Sequence, residues 1–253
     1  MTPEILFDPP PEILEPANGE IHVFCASLDQ PCREMEQFAE SLSRDERQRA
    51  ARFHFERDKN RFVTGRGILR EILGWLLGAE PCELVFSEGF HGKPRLAKSV
   101  AGSFLHFNLA HCDSLAVYAI SPTSEVGIDL EGIRPVLETE DIVARFFSER
   151  ERAQWLSLPS GGRAEAFFNC WTRKEAWLKA TGEGIGGQMD RIEVFFDGDL
   201  PGETSWLLQS LTPALDYTAA VAAECHNARV NCWKWREDKS NHPPRNQTSA
   251  IAR

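Results

Sequence analysis

Between Arg163 and Ala180 no proline interrupts the chain, and Phe167, Trp171, Ala176 and Leu178 recur where one side of a helix would bury them. That spacing predicts an amphipathic helix ending near Gly182. Trp171, Glu175 and Lys179 then fall at i, i+4 and i+8 and share one stripe. Upstream, residues 126–131, VGIDLE, alternate as a strand ending at Gly132, with Ile128 and Leu130 toward the core and Asp129 and Glu131 on the opposite face. Other apolar patterns predict strands at 20–28, 84–87 and 115–120, and helices at 34–42, 58–77 and 138–147. Two S-x-x-E capping boxes, Ser43 to Glu46 and Ser148 to Glu151, mark helix starts, the first for a helix running through Arg52 and Phe53. After the long helix, runs at 192–196, 205–209, 218–223 and 228–235 read as an antiparallel sheet closing the second half.

These elements repeat. In each half a capped helix precedes a long one, which carries Arg66 in the first half and Glu175 in the second. Such weak duplication suits an α+β protein of two similar α/β lobes in a pseudo-twofold, pseudodimeric arrangement, each a small antiparallel sheet packed with helices. The expected division is an extended proline-rich segment at 1–19, an N-terminal lobe at 20–123, a C-terminal lobe at 124–236 and a disordered polar tail at 237–253. The polar link at 121–125 is the boundary, with the active site at the lobe interface.

A chain of 253 residues, 42% hydrophobic, can bury the core of an ordinary enzyme. Its net charge of -10 argues against nucleic acid as a partner. The start of the chain lacks the basic and apolar runs of a secretory signal, and no apolar run reaches transmembrane length, so the expected location is the cytoplasm, away from membranes. Seven cysteines without a C-x-x-C pair suggest reduced core residues rather than a zinc site or disulfide framework. Against this acidic background, residues 44–70 hold nine Lys or Arg and four Asp or Glu. A positive island of this kind is either an anion site or a solvated helical face.

Asp129 and Glu131 repel each other unless a cation or a proton lies between them. If the long helix brings Glu175 to the strand end, three hard oxygen donors surround a gap suited to Mg²⁺, with Mn²⁺ the alternative, and Lys179 one turn on meets a substrate phosphate. The plainer readings are a solvated Glu/Lys surface pair and an Asp-x-Glu turn.

The two runs together resemble the paired signatures of the 4'-phosphopantetheinyl transferases of the larger, surfactin-type class. Gly127, Ile128, Asp129 and Glu131 match G-I-D-x-E, and Trp171, Lys174, Glu175, Ala176 and Lys179 match W-x-x-K-E-A-x-x-K. Residues 52–73 are similar to the family's first helical block, residues 91–94 to its G-K-P turn, and His106 to His111 to its H-F-N-x-S-H. The resemblance implies a Mg²⁺-dependent transfer of the 4'-phosphopantetheine arm of coenzyme A to a serine of an apo acyl, peptidyl or aryl carrier protein, releasing adenosine 3',5'-bisphosphate, by a monomer. It makes Asp129, Glu131 and Glu175 the metal ligands, and Glu175, Asp129 and Lys179 the catalytic set. Arg49, Lys93, His111 and Lys179, with Arg61 and Arg66, become the coenzyme A contacts. The carrier is expected to dock near residues 133–147. Alanine at 110, where the family has serine, is expected to remove a hydroxyl contact worth about 1 kcal/mol. The rival readings are a metal-dependent phosphohydrolase and a non-catalytic coenzyme A- or carrier-binding module.

Overall fold

Two serines start the helices that organise the halves. In the computed structural model, which describes residues 7–89, 92–97, 104–183, 189–194, 205–225 and 228–235, Ser43 and Ser148 each accept a bond from the backbone N–H three residues on. Glu46 and Glu151 return the bond to the serine N–H, which completes both predicted capping boxes.

The first half runs β1 (Glu20–Ser27), α1 (Cys32–Ser41), α2 (Arg44–Ala50), α3 (Glu56–Leu77), β2 (Phe86–Glu88), β3 (Pro94–Leu96), β4 (His106–Cys112) and β5 (Leu115–Ser121). The second runs β6 (Val126–Gly132), α4 (Thr139–Phe146), α5 (Glu149–Ser157), α6 (Arg163–Thr181), β7 (Leu207–Leu211), β8 (Tyr217–Ala223) and β9 (Arg229–Lys234). Both long helices stop at a glycine in the left-handed region, Gly78 at φ 63° and Gly182 at φ 77°. Several boundaries differ from expectation, and β2 and β7 each begin two residues later than their patterns predict. Helix α2 ends at Ala50, and residues 192–194 continue from a single 3-10 turn, Met189–Arg191, rather than forming a strand.

β1 pairs antiparallel with β5 and β5 with β4, while β6 pairs antiparallel with β8 and β8 with β7. The two halves therefore repeat one strand order, β4-β5-β1 and β7-β8-β6. The last strand departs from the sequence reading. β9 forms, but it leaves the second sheet and joins the first, parallel to β1, with Val230 opposite Ile21 and Cys232 opposite Val23. Beyond it the Asp8 N–H and carbonyl bond Cys232 and Lys234, continuing that sheet edge.

Alternation along the strands builds the layers. Ile21, Val23, Val117 and Ala119 of one sheet share an apolar cluster with Val126, Ile128, Leu130 and Val221 of the other. The opposite faces pack under α3, through Phe24, Leu69, Leu73 and Tyr118, and under α6, through Phe167, Cys170, Ala176 and Ala220.

The likeness between the halves extends to ion pairs. Glu46 of the first capping box receives Arg70 of α3 at 2.7 Å, and Arg70 also donates to the carbonyls of Pro81 and Leu84 around a 3-10 turn. Glu151 of the second receives Lys174 of α6 at 2.8 Å, and Lys174 donates to Met189 and Ile192 around the corresponding turn. At one contact the halves diverge. Where Asp129 meets Lys179 between β6 and α6, the positions about 105 residues earlier hold Phe24 and Trp75, ring edge to face.

Among the described residues no helix is long and apolar enough to cross a membrane. Cys25, Cys170 and Cys232 are buried as expected, whereas Cys32 and Cys82 are exposed. The tail expected to be disordered, 237–253, lies outside the described residues, as does His91 of the G-K-P region.

Candidate active site

Gly127 sets how closely α6 rests on β6. A Cβ there would stand 2.1 Å from the Ala176 carbonyl oxygen and 2.4 Å from the Ala180 nitrogen, so only glycine lets helix backbone lie on strand backbone. Two residues on, on the same strand face, Asp129 meets α6: Lys179 Nζ donates to Asp129 Oδ1 at 2.6 Å and to the Ile128 carbonyl at 3.2 Å. Asp129 Oδ2 is buried without a hydrogen-bond partner. The free amide edge of β6 is held from the other sheet, since the Ile128 N–H donates to Asn108 Oδ1 at 2.9 Å.

The three predicted carboxylates feel one another. Burial raises the carboxyl of Glu175 above its ordinary range, and the charges of Asp129 and Glu131 add to the shift while Lys179 opposes it. Burial likewise raises Glu131, with Asp129 second, and Arg134 at 3.5 Å opposes. Asp129 is raised by burial despite its Lys179 partner. Strand β6 and helix α6 thus bring residues 129, 131 and 175 into one electrostatic neighbourhood. Among the described residues no group of three or more His, Cys, Asp or Glu is drawn together as a metal-binding cluster, and the cation against Asp129 here is Lys179. The donor set still fits a hard divalent cation: three carboxylates that repel one another, with one buried oxygen lacking a partner.

Alongside lies a cavity of about 740 Å³ between the halves. Its walls come from α3 and the turn before it on one side, β4 on another, and Glu175, Leu178 and Lys179 of α6 on the third. All six residues expected to contact coenzyme A line it, but they are held differently. Arg49 and Arg66 stack over the Phe62 ring, at 5.5 and 6.0 Å from its centroid. Arg66 lies 3.9 Å from Glu46 and keeps one buried nitrogen, Nη1, without a partner. Arg61 is paired to Asp29 through two bonds of 2.8 and 3.0 Å. His111 is exposed on the β4 wall; partial desolvation and then the charges of Lys179 and Arg61 lower its pKa. Lys93 directs its ammonium away from open space, into three protein acceptors. Asp129 and Glu131 do not line the cavity; Asp129 is behind Lys179.

Ala110 is set back from the cavity. It is buried in the apolar cluster between the sheets and is not among the residues that line the cavity, whereas its neighbours Leu109 and His111 are. The site also contains residues that motif reading passed over. Phe53 and Phe62 lie 5.3 Å apart on the arginine wall, and their signal was available: aromatic residues interleaved with a basic run. Glu125, the acceptor for Lys93, carried no such signal, because its partners lie in distant parts of the chain.

Comparison with known proteins matches residues 125–226 to the family described as 4'-phosphopantetheinyl transferase superfamily. Residues 30–123 match that described as 4'-phosphopantetheinyl transferase, N-terminal. The chain is 40% identical over 231 residues to the 4'-phosphopantetheinyl transferase HetI of a Nostoc species, covering 90% of this chain and 97% of that one. It is 33% identical over 153 residues to the 4'-phosphopantetheinyl transferase psf-1 of Bacillus pumilus, covering 60% and 63%. To the Sfp enzyme of Bacillus subtilis it is 26% identical over 169 residues, covering 66% and 73%.

Proposed function

Because the chain belongs to the 4'-phosphopantetheinyl transferase superfamily, we propose that it moves the 4'-phosphopantetheine arm of coenzyme A onto a serine of an apo acyl, peptidyl or aryl carrier protein, releasing adenosine 3',5'-bisphosphate. The observation that carries this reading is the cavity itself: an arginine wall from one half faces Glu175 and Lys179 from the other, with Asp129 directly behind.

The physical problem is to bring a neutral hydroxyl to a polyanionic pyrophosphate beside a group of carboxylates. In this reading Arg49 and Arg66, spaced by Phe62, attract and orient the nucleotide phosphates. In the free protein partial desolvation and the nearby Lys179 and Arg61 lower the pKa of His111, and a phosphate beside it favours its protonated, donating form. Lys179 supplies positive charge on the cavity wall where negative charge develops on the leaving phosphate. Glu175, with its raised carboxyl pKa, accepts the serine proton. Asp129, Glu131 and Glu175 would hold Mg²⁺ or Mn²⁺, which polarises the phosphorus and balances the pyrophosphate charge. The carrier docks beside this mouth along residues 133–147, where Leu137 is fully exposed. The enzyme acts in this reading as a cytoplasmic monomer of two lobes, 20–123 and 124–236.

The test is incubation with coenzyme A, magnesium and apo-carriers, followed by intact mass. Gain of the arm by a carrier supports transfer. Phosphate release without a carrier supports the hydrolase, and binding without a mass change supports the inactive module. Asp129→Ala and Glu175→Ala each lower transfer on the order of 100-fold or more with the unfolding transition retained; wild-type transfer by either variant refutes the site.

A further inference from the structure

Lys93 begins on the cavity wall, yet its ammonium is fully used by the protein. Its three hydrogens go to Glu125 Oε2 at 2.9 Å, the Val126 carbonyl at 2.9 Å and the Lys179 carbonyl at 3.1 Å. The first two acceptors are at the start of β6, and the third is in the last turn of α6. Carbonyls in a last helical turn lack intrahelical partners and carry the negative end of the helix dipole, which favours a cation there. The side chain is only 11% exposed, and burial lowers its pKa while Glu125 opposes. Glu125 is itself held by Arg95 at 3.1 Å and His106 at 3.3 Å through its other oxygen. A lysine serving as a phosphate contact would keep a hydrogen facing the cavity; this one joins two elements that are 33 and 86 residues away in sequence.

We propose that Lys93 is a positioning residue for the transfer reaction: it ties the start of β6 to the end of α6 and so sets Asp129 against Glu175 and Lys179, without a charge contact to the ligand. The argument rests on the reading of those three side chains as the reacting set. The tie bears on them directly, because the Lys179 carbonyl it holds belongs to the residue whose ammonium binds Asp129. Gly127 leaves strand and helix in backbone contact, so a slip at this end passes to Asp129 two residues on.

The experiment compares Lys93→Met, Glu125→Gln and the double variant with wild type, as full chains, in carrier transfer with magnesium. Each single variant is expected to lose kcat by roughly 10- to 100-fold, with KM for coenzyme A and its salt dependence changed by less than about twofold. The double variant is expected to be no worse than either single one, since both break the same tie. A rise in KM for coenzyme A of about tenfold with unchanged kcat would make Lys93 a ligand contact and overturn the proposal. Wild-type kcat with only a lowered unfolding midpoint would reduce it to a structural residue and overturn it too. If Lys93→Met does not fold, Glu125→Gln carries the same split. Glu175→Gln in the same assay separates the two readings: wild-type transfer by that variant marks the failure as that of the site.

Discussion

Gly127→Ala puts one methyl group where the structure has no space for it. The added carbon would lie 2.1 Å from the Ala176 oxygen and 2.4 Å from the Ala180 nitrogen, against a floor near 3.0 Å for such contacts. Both obstructing atoms are backbone of α6, so no side chain can swing aside; helix and strand must separate by roughly 1 Å. Overpacking of this kind costs about 1–3 kcal/mol, which for a chain of this size lowers the melting temperature by about 2–12 °C. The same separation moves Lys179 and Glu175 from Asp129, and a misplacement near 1 Å costs about 100-fold in rate. Urea unfolding gives the first quantity and single-turnover carrier labelling gives the second. The two losses should appear together, with coenzyme A affinity little changed because the arginine wall belongs to α2 and α3. A Gly127→Ala protein with the wild-type unfolding midpoint and labelling rate would refute the close-contact argument.

Three further outcomes follow from the geometry. Lys174→Met leaves the fully buried Glu151 without its cation, and should cost about 3–5 kcal/mol in urea unfolding; Glu151→Gln added to it should restore part of that loss. His111 should titrate below its ordinary 6.5 by NMR in the free protein and move upward when coenzyme A binds. Since the fold lowers this imidazole's pKa, its contribution to stability is fully present above 6.5 and is lost as pH falls through the folded-state pKa. Arg49→Ala should raise KM for coenzyme A on the order of tenfold with a shallower salt dependence, the loss of one charge-assisted contact; an unchanged KM would remove Arg49 from the binding wall.

The parts that were legible in the sequence are those decided within a few residues. The capping boxes at Ser43 and Ser148, the glycine stops at 78 and 182, and the alternation of 126–131 all depend on local backbone chemistry and appear as expected. Strand β9 was visible as a strand but its partner was not, because a run containing Val230 and Cys232 fits either sheet edge until both are built. Lys93 is among the residues that line the cavity, yet the acceptors that occupy its ammonium are a carboxylate and two carbonyls distant in the chain. The burial of Ala110 is hidden from the sequence for a related reason: which face of β4 meets the opposite sheet is settled by the second sheet. The close approach of α6 to β6 that sets Asp129 against Lys179 depends on one local fact, Gly127, whose importance shows only when the helix lies across it.

The divergence between Phe24 with Trp75 and Asp129 with Lys179 places unequal burdens on the two similar halves. The aromatic contact adds apolar burial without any stranded charge, whereas its counterpart keeps an acid buried at some expense to the fold. One half can thus serve as ballast for the buried acid of the other. A symmetrised protein carrying Asp and Lys in both copies would gain a second acidic notch and lose the reserve that makes the first one tolerable.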